Sequence, residues 1–494
     1  MAATVNGDLR ARLLGRLDLR RSEGIGLAHR GALSLVGVML QGGVRFLYSV
    51  LIGRFLTPAL LAATNSAISL ALFVSLLWPT ATATAATKFV SRAHGAGDAP
   101  LALAVAKHLG RVSMVAAGVL GVGAGAFSWL FQDRQDLGAA ILVTLLVLAW
   151  SGYTYVRGLH FAVQQVARAT LWDGISAIVA LALLVVVIVA GADALLLAPL
   201  TAGYALYAIC GWPRGEKSGS LPAALRSEIN HFTFWTVIGT LASTGLLQLS
   251  MLVAHGTSSP EDAALYAVAL TLATPLSMLA RSFSLVLFPS MARATGRADH
   301  ASVRAQTDLS TRGLVAAMGL LFGALAIVGK LVIVIAFGAR YADAFVPLVI
   351  LLAACFLVTV NIGVVNALSA GTQSGVRLPA LFSVVGMVIG LCTMALTVPG
   401  GGITAVAAGY LAGAVIIGLA PIIWVWVREG MRWGWTFLRA LFGVGCAAAL
   451  IVLDELWGVP AWATVGTAAV FAIIWLGLMW PEVRMIGSMR RLRI

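Results

Sequence analysis

Three cations stand where a solvated charge is not expected. Arg45, Arg281 and Lys330 each fall inside a long apolar run, and no carboxylate lies equally deep; Asp173 reads as sitting near the inner start of its helix. A guanidinium keeps its proton, so within an apolar layer it must face a wet cavity, find a partner or reach an interface. Its planar fork also matches phosphate better than any other side chain does. Arginines without an accompanying acid therefore favour an anionic group. Arg45 is about fourteen residues above the inner end of its run, roughly 21 Å along a helix, and Arg281 about eight residues, roughly 12 Å. With Arg54 at the outer mouth of the first run, the two would form steps along a path. The competing reading has Arg45 snorkelling outward and Arg281 inward as anchors, which is the reading preferred for Lys330 near its outer end.

Uncharged polar residues inside the runs are Gln41, Asn65, Gln248, Asn361, Asn366 and Gln373. They could line a sugar-binding cavity, although hydrogen bonding between helices is the commoner use. Pro79 and Pro275 fall within apolar runs and are hinge candidates, since a freed carbonyl is tolerated where neighbouring helices or cavity water take it over.

Catalytic chemistry finds no support. GALAIVGK (323–330) has five residues between its glycines and a leucine after the lysine, inside an apolar run, so it is not a phosphate loop. Gly400, Gly401 and Gly402 read as an outside turn after Pro399, with no strand before them. The seven histidines lack metal spacing, and Cys210, Cys355, Cys392 and Cys446 lie far apart in apolar surroundings. No cofactor or metal is expected, and any transport must draw on a gradient, a potential or a partner.

The elements that position these residues are membrane helices. Of 494 residues, 60% are hydrophobic and only 11% charged, with mean hydropathy +0.96; a soluble chain would carry roughly a quarter charged. Apolar runs long enough to span read at 31–53, 60–87, 112–131, 138–156, 171–190, 194–212, 232–254, 263–288, 313–336, 346–370, 379–398, 403–427, 440–453 and 461–480. That is an all-α integral membrane protein of about fourteen transmembrane helices with both termini cytoplasmic. The first run is too long for a signal-peptide core and reads as an uncleaved anchor. With this count 27 of the 33 Lys and Arg fall on the cytoplasmic side, Arg157 and Arg168 among them in a loop, and only Arg54, Arg134 and Arg340 fall outside. Such an asymmetry follows the positive-inside rule. It accounts for the net charge of +14 without a nucleic-acid partner.

Residues 63–98 repeat at 264–299: a shift of 201 lays Arg92, Ala93, Gly95 and Asp98 on Arg293, Ala294, Gly296 and Asp299. The shift crosses six helices, so the copies share one orientation, as in parallel-repeat transporters. The expected organisation is a basic amphipathic tail (1–30), a first lobe (31–212), a cytoplasmic linker (213–231) and a second lobe (232–427). Helices thirteen and fourteen with a basic tail (428–494) read as an appendage.

Four stretches carry a resemblance. GRFLTPALLAATNSAISL (53–70), LFPSMAR (287–293), FGARYADAFVPLVILLAACFL (337–357) and GGITAVAAGYLAG (401–413) resemble, in order and spacing, the polysaccharide-transporter branch of the multidrug/oligosaccharidyl-lipid/polysaccharide flippase superfamily. The resemblance implies two six-helix lobes in a V plus extra C-terminal helices, and alternating access that carries a polyprenyl-pyrophosphate-linked oligosaccharide from inner to outer leaflet. It further implies a bacterial cell membrane, membrane lipids as partners, and glycosyltransferases or a polymerase of the same pathway nearby. Cavity cations that meet the pyrophosphate are part of that expectation, with Arg45 and Arg281 matching by helix and depth. The alternatives are a cation-coupled multidrug exporter of the same superfamily and a non-transporting scaffold for cell-envelope enzymes.

Overall fold

The computed structural model describes residues 27–132, 136–213, 220–296, 299–370 and 373–491. The amphipathic segment expected at 9–21 lies outside them. The described residues contain helices and no strand. In an apolar layer only a helix, or a closed barrel, satisfies every backbone group internally.

The first unit, up to Leu252, contains α1 (Leu27–Phe55), α2 (Pro58–Leu76), α3 (Pro79–Gly95), α4 (Ala99–Phe127), α5 (Leu137–Ala162), α6 (Val166–Val189), α7 (Ala198–Gly211) and most of α8 (Ala223–Thr257). The second, from Val253, contains α9 (Pro260–Gly296), α10 (His300–Ala336), α11 (Phe345–Val360), α12 (Ile362–Ala370), α13 (Gln373–Glu429), α14 (Gly434–Leu456), α15 (Thr464–Leu478) and α16 (Trp480–Arg491). Among the described residues thirteen helical stretches are long and apolar enough to cross a membrane. One of them, Arg377–Glu429, has 53 residues, about twice what a crossing needs, and breaks at Gly402. Counted as two, it brings the number to the fourteen expected.

Sequence explains the breaks unevenly. Pro79 interrupts the second expected span: α2 ends at Leu76, and α3 starts on the proline after Trp78 leaves the helical region. Pro275, its expected counterpart, lies within the continuous α9 and breaks nothing. The tenth span stops instead at Asn361, between α11 and α12. At the triple glycine only Gly402 departs from helix, with φ 52°, so the expected turn is a single-residue kink. The expected linker is also shorter, because residues 223–231 already form the start of α8.

The internal repeat has a physical counterpart. Asp98 caps α4 by accepting from Leu101 N at 2.9 Å, and Asp299 caps α10 by accepting from Ser302 N at 2.9 Å. Both turns close with the same backbone bond, Asp98 N to Ala93 O and Asp299 N to Ala294 O, each 3.0 Å. Every pair differs by 201 in number. An aspartate at N-cap satisfies an otherwise orphan amide, typically worth about 1 kcal/mol.

The last two spans pack into the second unit. Trp433, Ala440, Phe471, Trp475 and Met479 share one core with Val315, Ala316 and Ile327 of α10 and Ile422 and Val425 of α13. The Trp475 indole donates to Ala316 O at 2.8 Å. Its ring fills a groove left by glycine: a Cβ on Gly319 would lie 2.0 Å from the indole, and one on Gly323 would lie 2.4 Å from the Phe471 ring. Close backbone approach at small residues is the usual way helices associate in lipid. Lys330, read as a snorkelling anchor, pairs with Glu455 at the end of α14, 2.9 Å away. Gly319→Ala should therefore overpack this contact by roughly 1–3 kcal/mol. The readout is a lower unfolding midpoint in detergent, partly regained when Trp475→Ala is added; an unchanged midpoint would mean the contact is not tight.

Candidate functional site

Helix α1 organises the first unit by presenting one stripe to its neighbours. Ser34, Gly37, Val44, Tyr48, Ser49 and Ile52 are buried on it, with Gln41 and Arg45 half-buried between them, while Leu35, Val36, Met39 and Leu47 on the other side are exposed. That is the arc expected of a 3.6-residue period. Arg45 is thus on the packed side of the helix, in the middle of a span running from Leu33 to Phe55. Its nearest electrostatic neighbour is Tyr204 of α7, and it makes no hydrogen bond or ion pair among the described residues.

Below Arg45 the stripe meets a buried ion pair. Arg157 Nε of α5 donates to Asp173 Oδ2 of α6 at 3.0 Å, and Tyr153 Oη donates to Asp173 Oδ1 at 2.6 Å. The Asp173 side chain is 1% exposed and that of Arg157 14%. The guanidinium also stacks over Phe161, 4.9 Å from the ring centre. Gly37 lets α1 come this close, since a Cβ there would be 3.0 Å from Thr170 Oγ1 and 3.1 Å from Asp173 Oδ2. Thr170 Oγ1 meanwhile donates to Leu33 O of α1 at 2.9 Å. Aromatic rings close the cluster: Tyr153 lies 4.9 Å from Tyr204 and 4.7 Å from Tyr207 between ring centres. At the far end of the stripe the Tyr48 hydroxyl donates to the carbonyl of Leu196.

This corrects two sequence expectations. The membrane interior does contain a carboxylate, and Arg157 and Arg168 are not in a loop. Helix α5 runs on to Ala162 and α6 begins at Val166, so the connection is three residues and both arginines lie within helices, Arg168 buried and Arg157 nearly so. The signal is in the sequence: nothing in YTYVRGLHFA stops a helix at Val156, and a fall in hydropathy there is no helix end.

The other candidates divide. Arg54 is exposed in the last turn of α1, where a cation complements the helix dipole. Asn65 is structural: its Oδ1 accepts from Ser49 of α1 and its Nδ2 donates to Leu61 O, both at 3.1 Å. Asn361 does the same in the second unit, donating to Ile417 O at 2.7 Å where the tenth span breaks. Asn366 is buried on α12. Gln248 is 6% exposed on α8, with an Oε1 that accepts no hydrogen bond. Arg281 is on α9 and Gln373 opens α13, but both side chains lie outside the described residues. Among the described residues no group of three or more potential metal ligands occurs.

Residues 108–347 match the model of a family described as polysaccharide biosynthesis protein. In structure the chain is similar to a lipid II flippase MurJ in an inward closed conformation, with TM-score 0.66 at 12% identity over 92% of this chain and 99% of that one. It is also similar to an outward-facing multidrug resistance MATE family transporter of the MOP superfamily (TM-score 0.58, 14% identity, 83% of this chain and 96% of that one). A MATE in the bent conformation gives TM-score 0.59 at 13% identity, again over 83% and 96%. No curated protein matches. The chain shares the fold of these transporters, and its match to the polysaccharide biosynthesis model agrees with the resemblance read from its motifs.

Gly37 supplies a test of how α1 is seated. Gly37→Val should lower the unfolding midpoint in detergent by several degrees. Gly43→Val, with nothing within 4 Å of its Cβ, should not. Equal effects would show that α1 is not held against Asp173.

Proposed function

We propose that this chain is a flippase that moves a polyprenyl-pyrophosphate-linked oligosaccharide, a precursor of a cell-wall or surface polysaccharide, from the inner to the outer leaflet of a bacterial membrane by alternating access. The observation that carries the reading is Arg45, a guanidinium in the middle of a spanning helix with no acid bound to it among the described residues. A cation so placed is stabilised by an anion that comes and goes, and the fork of arginine fits a phosphate with two parallel hydrogen bonds. The polysaccharide biosynthesis match and the likeness to a lipid II flippase support this substrate class. An inside-negative potential would assist outward passage of the anionic head by about 2.3 kcal/mol per charge per 100 mV. Arg281 and Arg54 are proposed as further steps on the same path, and Gln41, Gln248 and Asn366 as polar contacts for the sugar. Pathway glycosyltransferases or a polymerase would supply and consume the substrate.

The cation-coupled exporter reading needs a buried acid that is open to a cation. Among the described residues the buried carboxylates are Asp173 and Glu482, and each is paired with an arginine, Arg157 at 3.0 Å and Arg439 at 3.1 Å. The scaffold reading leaves Arg45 without a use.

Charge-assisted hydrogen bonds are worth roughly 1.5–3 kcal/mol, so Arg45→Ala should slow flipping of a pyrophosphate-linked lipid in proteoliposomes by roughly 10- to 150-fold, with normal membrane insertion. Arg45→Lys, which keeps the charge and loses the fork, should fall between. Full activity of Arg45→Ala would return this residue to a packing role. At clamped potential a protonophore should leave the rate unchanged; abolition would favour proton coupling.

A further inference from the structure

We infer that Arg157 is a built-in counter-cation: its guanidinium fills the place at Asp173 that a sodium ion or a proton would otherwise take, and so frees the first unit from any external cation. The inference deepens the flippase reading by addressing its coupling, but it stands on the ion pair alone and requires nothing of Arg45 or the substrate.

The charge balance around Asp173 carries the argument. Helix α5 contributes Tyr153 and Arg157, both bonded to the carboxylate, and His160 a turn further along. Helix α7 contributes the hydroxyls of Tyr204 and Tyr207, neither of which makes a protein hydrogen bond. On α6 itself lie Thr170, beside Asp173, and Arg168, which bonds Gln165 at 3.4 Å. Helix α1 brings Gly37 to the pair and carries Arg45 up beside Tyr204. Among the described residues Asp173 is the single buried acid of this unit. One negative charge, on a carboxylate 1% exposed, therefore meets one directly bonded positive charge. A carboxylate left there alone would cost several kcal/mol, so it has to acquire a counter-ion or a proton. Without the guanidinium, the oxygens of Asp173, Tyr153 and Thr170 would remain facing the same space. Such a hard, all-oxygen set suits an alkali or other hard cation. Tethering the cation removes the entropy of capturing one and also the means of releasing it.

The test is unfolding of the purified full-length protein in detergent, with sodium chloride compared against choline chloride in mildly alkaline and mildly acidic buffers. The wild type should unfold at one midpoint in all four. Arg157→Met should be lowered by several degrees in alkaline choline buffer and recover with sodium or in acid. In that variant the folded state holds a proton the unfolded state has lost, so its stability falls as pH rises. Arg157→Met combined with Asp173→Leu should regain insensitivity to both. If Arg157→Met is not recovered in any buffer, Asp173→Asn provides the reciprocal: Arg157 is then uncompensated, and its midpoint should be higher in chloride than in gluconate. A sodium-dependent midpoint in the wild type that Asp173→Asn removes would overturn the inference. So would indifference of Arg157→Met to sodium and acid alike together with indifference of Asp173→Asn to the anion.

Discussion

In an apolar layer an unpaired charge costs more than any one packing contact returns, and the first unit is arranged around that constraint. The pair of Arg157 and Asp173 satisfies it internally, with Tyr153 completing the carboxylate. Three helices are placed by it: α5 and α6 supply the charges, and α1 lies against them because Gly37 has no side chain to keep it away. A buried pair of this kind is weak evidence for net stability, since apolar residues of the same volume can do as well. What it supplies here is register. Moving α1 by one residue would bring a side chain onto Asp173 and break the Thr170 bond to Leu33.

Arg45 is the exception to the rule that the rest of the unit obeys. It shares the packed arc of α1 with Gly37 and Tyr48, yet among the described residues no acid cancels its charge. Two arginines of one unit thus have opposite relations to charge: one is bonded to a fixed acid, the other to no acid among the described residues. Membrane proteins retain such residues at a cost, and cost without structural return points to use.

Much of this was legible in sequence because lipid makes hydropathy a strict signal. The spans, their number and the 201-residue repeat could be read directly, and the matching caps at Asp98 and Asp299 give the repeat a mechanism. The ion pair could not be read, for a specific reason. Hydropathy marks where a helix stops being apolar, and Arg157 and Arg168 made α5 and α6 look shorter than their hydrogen bonds make them. Once both were assigned to a loop, Asp173 seemed to lie at a helix start with nothing to neutralise it. Proline misled in the same way: Pro79 opens a new helix, whereas Pro275 is absorbed by α9 and the break in the tenth span falls at Asn361, which carries no breaker signal.

The groove along α10 at Gly319 and Gly323 bears on the order in which the second unit is built. Its occupants, Trp475 and Phe471, are translated well after the α10 glycines they cover. Until α15 leaves the ribosome, α10 stands in the membrane with a flat glycine face turned to lipid and the carbonyl of Ala316 without its indole donor. Small-residue faces are the surfaces on which membrane helices associate. The unfinished chain therefore displays, for as long as synthesis of the 152 residues from Gly323 to Trp475 takes, an adhesive strip that the folded unit hides. Synthesis at roughly 5–20 residues per second makes that an interval of several seconds or more, in which the nascent unit is most exposed to wrong partners.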